Sequence, residues 1–105
     1  MFFLKPRRDI NAGVQEYQNT PGAVLIDVRT PKEFAQVRIP GSVNVPLHRL
    51  SKAEEIIPSF DTPVFIYCVN GARADKAVKR LARKGYTNLQ CIGGINRYSG
   101  LAERG

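Results

Sequence analysis

The residues best placed to do chemistry are Cys68-Val69-Asn70-Gly71-Ala72-Arg73. An apolar run, Val64-Phe65-Ile66-Tyr67, leads into this stretch, and a segment with helical periodicity, Ala74 to Lys84, leads out of it. A cysteine at the end of a strand, followed by a short glycine loop and a helix start, can be surrounded by inward-facing backbone N–H groups. The helix N-terminus adds partial positive charge. A thiolate is an anion and is stabilised there, so the arrangement predicts a lowered thiol pKa and a nucleophile active near neutral pH. Gly71 suits a backbone that must curl tightly, and Arg73 adds a permanent cation with a planar donor fork. The bland alternative is a small buried hydrophobe that ends a strand, as free cysteines often are.

The elements that must position this loop can be read in chain order. Residues 1–8 read as an arm or a short edge strand. Asp9 is suited to cap a helix from Ile10 to about Gln18, which Asn19-Thr20-Pro21-Gly22 breaks. Ala23 to Val28 is an almost continuous apolar run, the pattern of a strand covered on both faces. Thr30-Pro31-Lys32-Glu33 has the N-cap, first-position proline and capping-box carboxylate of a helix start, and Ile39-Pro40-Gly41 stops that helix. Ser42 to Pro46 alternates like a short strand. Leu50 to Ile57 reads as a helix with Ser51 as cap and Pro58 as stop. Ala74, Ala77, Val78, Leu81 and Ala82 form an apolar stripe on the helix after the cysteine, which Gly85 closes. Leu89 to Ile92 reads as a third core strand, and Ile95 to Glu103 as a last short helix. Strands alternating with helices predict an α/β domain with a mainly parallel sheet. A reactive loop at the carboxyl end of a strand is where such sheets carry their sites.

The chain has 105 residues, a length that suits one domain spanning 1–105 with a core that needs no disulfide or metal. Its two cysteines, Cys68 and Cys91, lack metal-ligand spacing, so neither a metal nor any other cofactor is expected. A reducing compartment would keep both as thiols. No apolar run is long enough to span a bilayer, and the start has the wrong charge order for a secretory signal, so a cytoplasmic location is expected. The formal net charge of +7 favours anionic partners, yet the basic segments lack the interleaved aromatics of a nucleic-acid module. Neither nucleic acid nor membrane is expected as a partner.

Four segments resemble, in order, those of the single-domain rhodaneses, a sulfurtransferase family. They are Leu25-Ile26-Asp27-Val28-Arg29 with Pro31-Lys32-Glu33-Phe34, Ile39 to Pro46, Tyr67 to Arg73, and Gly85-Tyr86-Thr87-Asn88-Leu89 running to Gly93-Gly94-Ile95. The resemblance covers most of the chain. It implies a mainly parallel five-stranded sheet with helices on both faces. It also implies that Cys68 accepts a sulfane sulfur as a persulfide and passes it on, with the amides of Val69, Asn70, Gly71, Ala72 and Arg73 around the bound sulfur or substrate anion. The partners so implied are a small anionic donor such as thiosulfate, a cyanide or thiol acceptor, and optionally a protein acceptor. Four positions depart from the family: Arg38 replaces a usual His, Val69 a frequent Arg or Lys, Ala74 a common Ser, and Tyr98 a typical Trp.

The supporting residues read as follows. Asp27 and Arg29 end the first core strand and read as part of a structural hydrogen-bond or ion-pair network first, and as support for the site next. Arg73 serves either the anion or a carboxylate that holds the loop in shape. Cys91 is expected in the core, and His48 at the surface. Two other classes stay open. Phosphate-ester or arsenate chemistry uses a similar cysteine loop, but those phosphatase loops place five residues between cysteine and arginine, and here there are four. The other is a non-catalytic rhodanese-like binding module, against which the retained Cys68 speaks.

Overall fold

Val64–Cys68 forms a strand with every residue buried, as its unbroken apolar sequence requires. The computed structural model describes residues 9–105, and the arm or edge strand expected over residues 1–8 lies outside the described residues. In chain order the elements are α1 (Ile10–Gln18), β1 (Val24–Asp27), α2 (Pro31–Gln36), β2 (Val37–Arg38), β3 (Val43–Asn44), a 3₁₀ segment (Leu47–Glu55), β4 (Val64–Cys68), α3 (Ala72–Arg83), β5 (Leu89–Gly94), a 3₁₀ turn (Ile95–Arg97) and β6 (Glu103–Arg104). The central sheet runs β3-β1-β4-β5, and each neighbouring pair is parallel. It has four strands among the described residues, one fewer than the resemblance implies. From β1 the chain moves outward to β3 on one side, and from β4 outward to β5 on the other. This reversal places a crevice at the carboxyl ends of β1 and β4, where Cys68 ends its strand.

The alternation of side chains along β4 divides the core. Val64, Ile66 and Cys68 face α3 and the long 3₁₀ segment, together with Ala74, Ala77, Leu81 and Leu50. Phe65 and Tyr67 face α1, packing with Ile10, Val14, Leu25 and Ile92. Helices therefore cover both faces of the sheet. The sequence signals for two of them hold in atomic detail: the Asp9 carboxylate accepts from Ala12 N–H, and Thr30 and Glu33 form a complete capping box. α1 lies very close to β5, for a Cβ added to Gly13 would stand 2.4 Å from Ile92 Cγ2.

Two expectations are corrected. The helix read over Leu50 to Ile57 with Ser51 as cap is instead a 3₁₀ segment that starts after Pro46 and kinks at Arg49 (φ −123°, ψ 32°). Leu47, Leu50, Ala53 and Ile56 recur every third residue, and a three-residue turn brings them to one face. The helix read over Ile95 to Glu103 shrinks to Ile95–Arg97. The chain then extends, and β6 pairs antiparallel with β2 through Val37–Arg104 and Arg38–Glu103. That pairing joins positions far apart in sequence, which no local periodicity encodes.

Candidate active site

Cys68 is fully buried at the end of β4, and its Sγ accepts from two backbone N–H groups, Gly71 N at 2.9 Å and Ala74 N at 3.4 Å. The loop can curl back in this way because Gly71 takes φ +98°, a left-handed conformation that favours glycine. Two donors aimed at one sulfur stabilise negative charge on it. Asn70 holds the turn itself, its Oδ1 accepting from Ala72 N at 3.0 Å. Of the loop amides expected around the anion, that of Gly71 meets the sulfur, that of Ala72 is taken by Asn70, and that of Ala74 joins from the first turn of α3.

The end of β5 carries the loop from below. Val69 O accepts from Asn96 N at 3.1 Å, and a Cβ added to Gly94 would lie 2.0 Å from the same oxygen. The glycine at position 94 is thus a requirement of close approach, not of backbone conformation. Cys91 is buried beneath the loop with its Sγ 3.9 Å from Gly71 O, a weak contact. In register Cys91 stands opposite Ile66, whereas Cys68 stands opposite Gly94. Strand geometry then separates the two cysteine Cα atoms by at least about 8 Å. That is beyond the reach of a disulfide, and neither cysteine is in one.

Arg73 does not point freely into the cradle. Its guanidinium grips Glu33 in a two-pronged contact, Nη1–Oε1 3.0 Å and Nη2–Oε2 3.2 Å. The Arg73 hydrogen bond, aided by that from Thr30, holds the Glu33 carboxyl down to about 2, and Glu33 in turn raises the pKa of Arg73. Glu33 therefore serves two elements, closing the α2 cap and tying α2 to the start of α3, and only the cap is visible in the local sequence. A cleft of about 250 Å³ opens beside this tie, lined among others by Arg29, His48, Arg73 and Arg80, with His48 exposed at its wall as expected.

The network expected at Asp27 and Arg29 is an ion pair between the two, fully enclosed, with Arg29 Nη2 2.7 Å from Asp27 Oδ2. Burial alone would lower the pKa of Arg29, but the bond and charge of Asp27 more than offset it and the net shift is upward. Arg29 also donates to Val37 O and lies over the Tyr67 ring. Asn44 Nδ2 donates to the carbonyls of both Asp27 and Arg29, each at 3.0 Å. Asp27 lies across from Tyr67 in the ladder, so the pair braces the exit of β1 into the Thr30–Glu33 cap. The Tyr67 hydroxyl donates to Ser42 Oγ and accepts from Ile39 N, and burial holds its pKa far up. Two of the departures from the family turn away from the cradle. Arg38 lies over Phe34 and pairs with Glu103, and Tyr98 O–H donates to Leu101 O.

A parallel α/β sheet with a cysteine held by backbone amides at its carboxyl edge defines a cysteine-cradle α/β domain, built to stabilise charge on one sulfur. The family model for the rhodanese-like domain matches residues 11–100, and the chain belongs to that family. It is 39% identical over 82 residues to a sulfurtransferase of Allochromatium vinosum, covering 77% of this chain and 76% of that protein. It is 38% identical over 79 residues to the uncharacterized protein YqhL of Bacillus subtilis, covering 74% of this chain but only 62% of that protein. It is 31% identical over 71 residues to the thiosulfate sulfurtransferase PspE of Escherichia coli, covering 67% and 68% of the two chains. Among solved structures, a rhodanese with anions from E. coli superposes with TM-score 0.74 at 27% identity, covering 79% of this chain and 99% of the other. Among the described residues no helix is long and apolar enough to cross a membrane, and no cluster of side chains is arranged to hold a metal.

Proposed function

We propose that this chain is a rhodanese-type sulfurtransferase with Cys68 as its nucleophile, acting as one domain in the reducing environment of the cytoplasm. The Cys68 thiolate attacks the outer sulfur of thiosulfate or of a persulfide donor. A new S–S bond forms, the donor's S–S bond breaks, and its electron pair leaves on sulfite or on the donor thiolate. Cyanide or a thiolate then attacks the outer sulfur of the Cys68 persulfide and departs as thiocyanate or a new persulfide. The electron pair returns to Cys68, and no external oxidant is needed. Residues Val69 to Arg73 form the cradle around the sulfur, with Arg73 held in place by Glu33. Asp27 and Arg29 are positioning residues that brace the cap from which Glu33 reaches the loop.

The observation that carries this reading is the pair of N–H groups, Gly71 and Ala74, converging on a buried Sγ within a loop that leaves four residues between Cys68 and Arg73. A cradle this tight suits a single sulfur better than a tetrahedral phosphate. The test is intact mass after incubation with thiosulfate. One added sulfur, removed by cyanide with release of thiocyanate, is expected in the natural chain and not in Cys68→Ser. Full adduct formation in Cys68→Ser would move the chemistry elsewhere, and rapid aryl phosphate hydrolysis without sulfur transfer would replace this reading with the phosphatase one.

A further inference from the structure

α3 leaves the cysteine loop with a cationic outer face. Lys76, Lys79, Arg80 and Arg83 are all exposed and fall at i, i+3, i+4 and i+7, so they share one side of the helix. The face begins at exposed Ala72, beside the cradle, and extends about 16 Å to Arg83 at 1.5 Å per residue. Arg80 also lines the cleft that contains His48 and Arg73, so the positive surface continues around the helix toward the loop.

The fold does not call for Lys76 and Lys79, nor for four cations on one face. The buried side of α3 is complete without them, with Ala74, Ala77, Val78 and Leu81 packed against the sheet. Like charges three and four residues apart repel, and this face contains four such pairs: 76 with 79, 76 with 80, 79 with 83, and 80 with 83. The helix dipole favours cations in the last turn, which accounts for Arg80 and Arg83, but Lys76 and Lys79 stand before it. Asp75 is the only acidic residue of α3. A small sulfur donor or cyanide spans far less than this face, so the charges fit a macromolecule. No aromatic side chain occurs between Ala72 and Arg83 on which bases could stack, which favours a protein over a single-stranded nucleic acid.

We infer that the outer face of α3 docks an acidic protein whose cysteine takes the sulfur from Cys68. This rests on the sulfurtransferase reading above and names its acceptor class. The partner's thiolate attacks the outer sulfur of the Cys68 persulfide. The bond from that sulfur to Cys68 Sγ breaks, its electron pair remains on Cys68 as the thiolate, and the partner leaves as the persulfide. Charge complementarity steers the encounter and sets the register of the two sulfurs, and it weakens as salt screens it.

The experiment compares two synthetic peptides of equal length, each with one cysteine, one rich in Asp and Glu and the other in Ser and Gly. They are offered as acceptors to the persulfidated full chain at low and high ionic strength. The acidic peptide is expected to show a kcat/KM about tenfold higher at low salt, and the advantage should vanish at high salt. In the double variant Lys76→Glu/Lys79→Glu the advantage should fall below about twofold while transfer to cyanide stays within about twofold. The new carboxylates stand four residues before Arg80 and Arg83, an order that supports the helix and offsets the repulsion between position 79 and Asp75, and a thermal melt checks that the variant is folded. Binding is read separately, by amide shifts on titration of the unloaded chain with the acidic peptide, and shifts centred on Lys76 to Arg83 are expected. Loss of all sulfur transfer with these shifts intact would overturn the sulfurtransferase reading and leave the docking face standing. Equal rates for both peptides, an unaffected double variant, or shifts centred elsewhere would overturn the docking inference. So would a short RNA that displaces the acidic peptide from this face at equal concentration, which would assign the face to nucleic acid.

Discussion

Replacing Gly94 by alanine should disable the site without touching a residue that contacts the sulfur. The backbone at Gly94 is extended, φ −131° and ψ 142°, and alanine adopts it without strain. The penalty is contact: the added Cβ would lie 2.0 Å from Val69 O and 2.5 Å from Asn70 Cα. A comfortable carbon–oxygen separation is about 3.3 Å, so the loop must retreat by roughly 1 Å. Overpacking of this kind costs about 1–3 kcal/mol. The Asn96 N–H to Val69 O bond, 3.1 Å in the intact loop, is lost with it at about 1 kcal/mol more. A total near 3 kcal/mol corresponds to a fall in Tm of roughly 12–24 °C for a domain of this size. A displacement of about 1 Å also carries the Gly71 and Ala74 amides off the sulfur, and misplacement on that scale costs about a hundredfold in rate. The assay is thiosulfate-to-cyanide transfer normalised to folded protein, with thermal unfolding alongside. Gly22→Ala is the control: φ is +77° and nothing stands within 4 Å of the added Cβ, so it loses only the backbone preference. That preference is worth about 1 kcal/mol, and the control's transfer rate should be unchanged. Wild-type transfer and melting in Gly94→Ala would refute the claim that close approach at this glycine sets the loop.

Three further outcomes are expected. Glu33 is held at about 2 against an ordinary 4.5, chiefly by the Arg73 hydrogen bond, so its stabilising effect is full above about pH 4.5 and is lost as the pH falls toward 2. Both side chains are about one-third exposed, which limits the tie to roughly 1 kcal/mol; Glu33→Gln should lose that amount at pH 7 and flatten the acid limb of the stability profile, and an unchanged limb would show the tie to be inert. Asp27→Asn leaves the buried Arg29 charge uncompensated and should cost about 3–5 kcal/mol in denaturant unfolding, whereas a loss under about 1 kcal/mol would mean that water reaches the guanidinium. Cys91→Ser should load sulfur from thiosulfate almost as the natural chain does, because the register keeps Cys91 out of bonding reach of Cys68, and a large loss in the intact-mass assay would assign Cys91 a part in the transfer.

Features set by near neighbours were legible in the sequence. The Asp9 cap, the Thr30–Glu33 box, the buried run ending in Cys68 and the apolar stripe of α3 each rest on residues a few positions apart, and each stands in the structure. What escaped depends on contacts across the chain. Arg73 finds Glu33 forty positions away, and nothing local tells which carboxylate it will take. Gly94 matched a family segment, but its reason, the Val69 carbonyl where a Cβ would be, exists only once β4 and β5 pair. The 3₁₀ periodicity of Leu47, Leu50, Ala53 and Ile56 was present in the sequence but resembles a frayed α-helical pattern. β6 forms because β2 offers it an edge, and its two residues carry no strand signal of their own.

The strand that delivers Cys68 lies between two parallel neighbours and is buried at every residue. Such a strand belongs to the part of a protein whose amides exchange with solvent only through near-global opening. The floor of the cradle therefore cannot loosen on its own: to release the Cys68 backbone, the molecule must come apart. The few residues above that floor, Val69 to Ala72, are pinned at both ends, by Asn96 below and by the Glu33 tie at Arg73. The position of the sulfur is thus set by the most stable part of the fold.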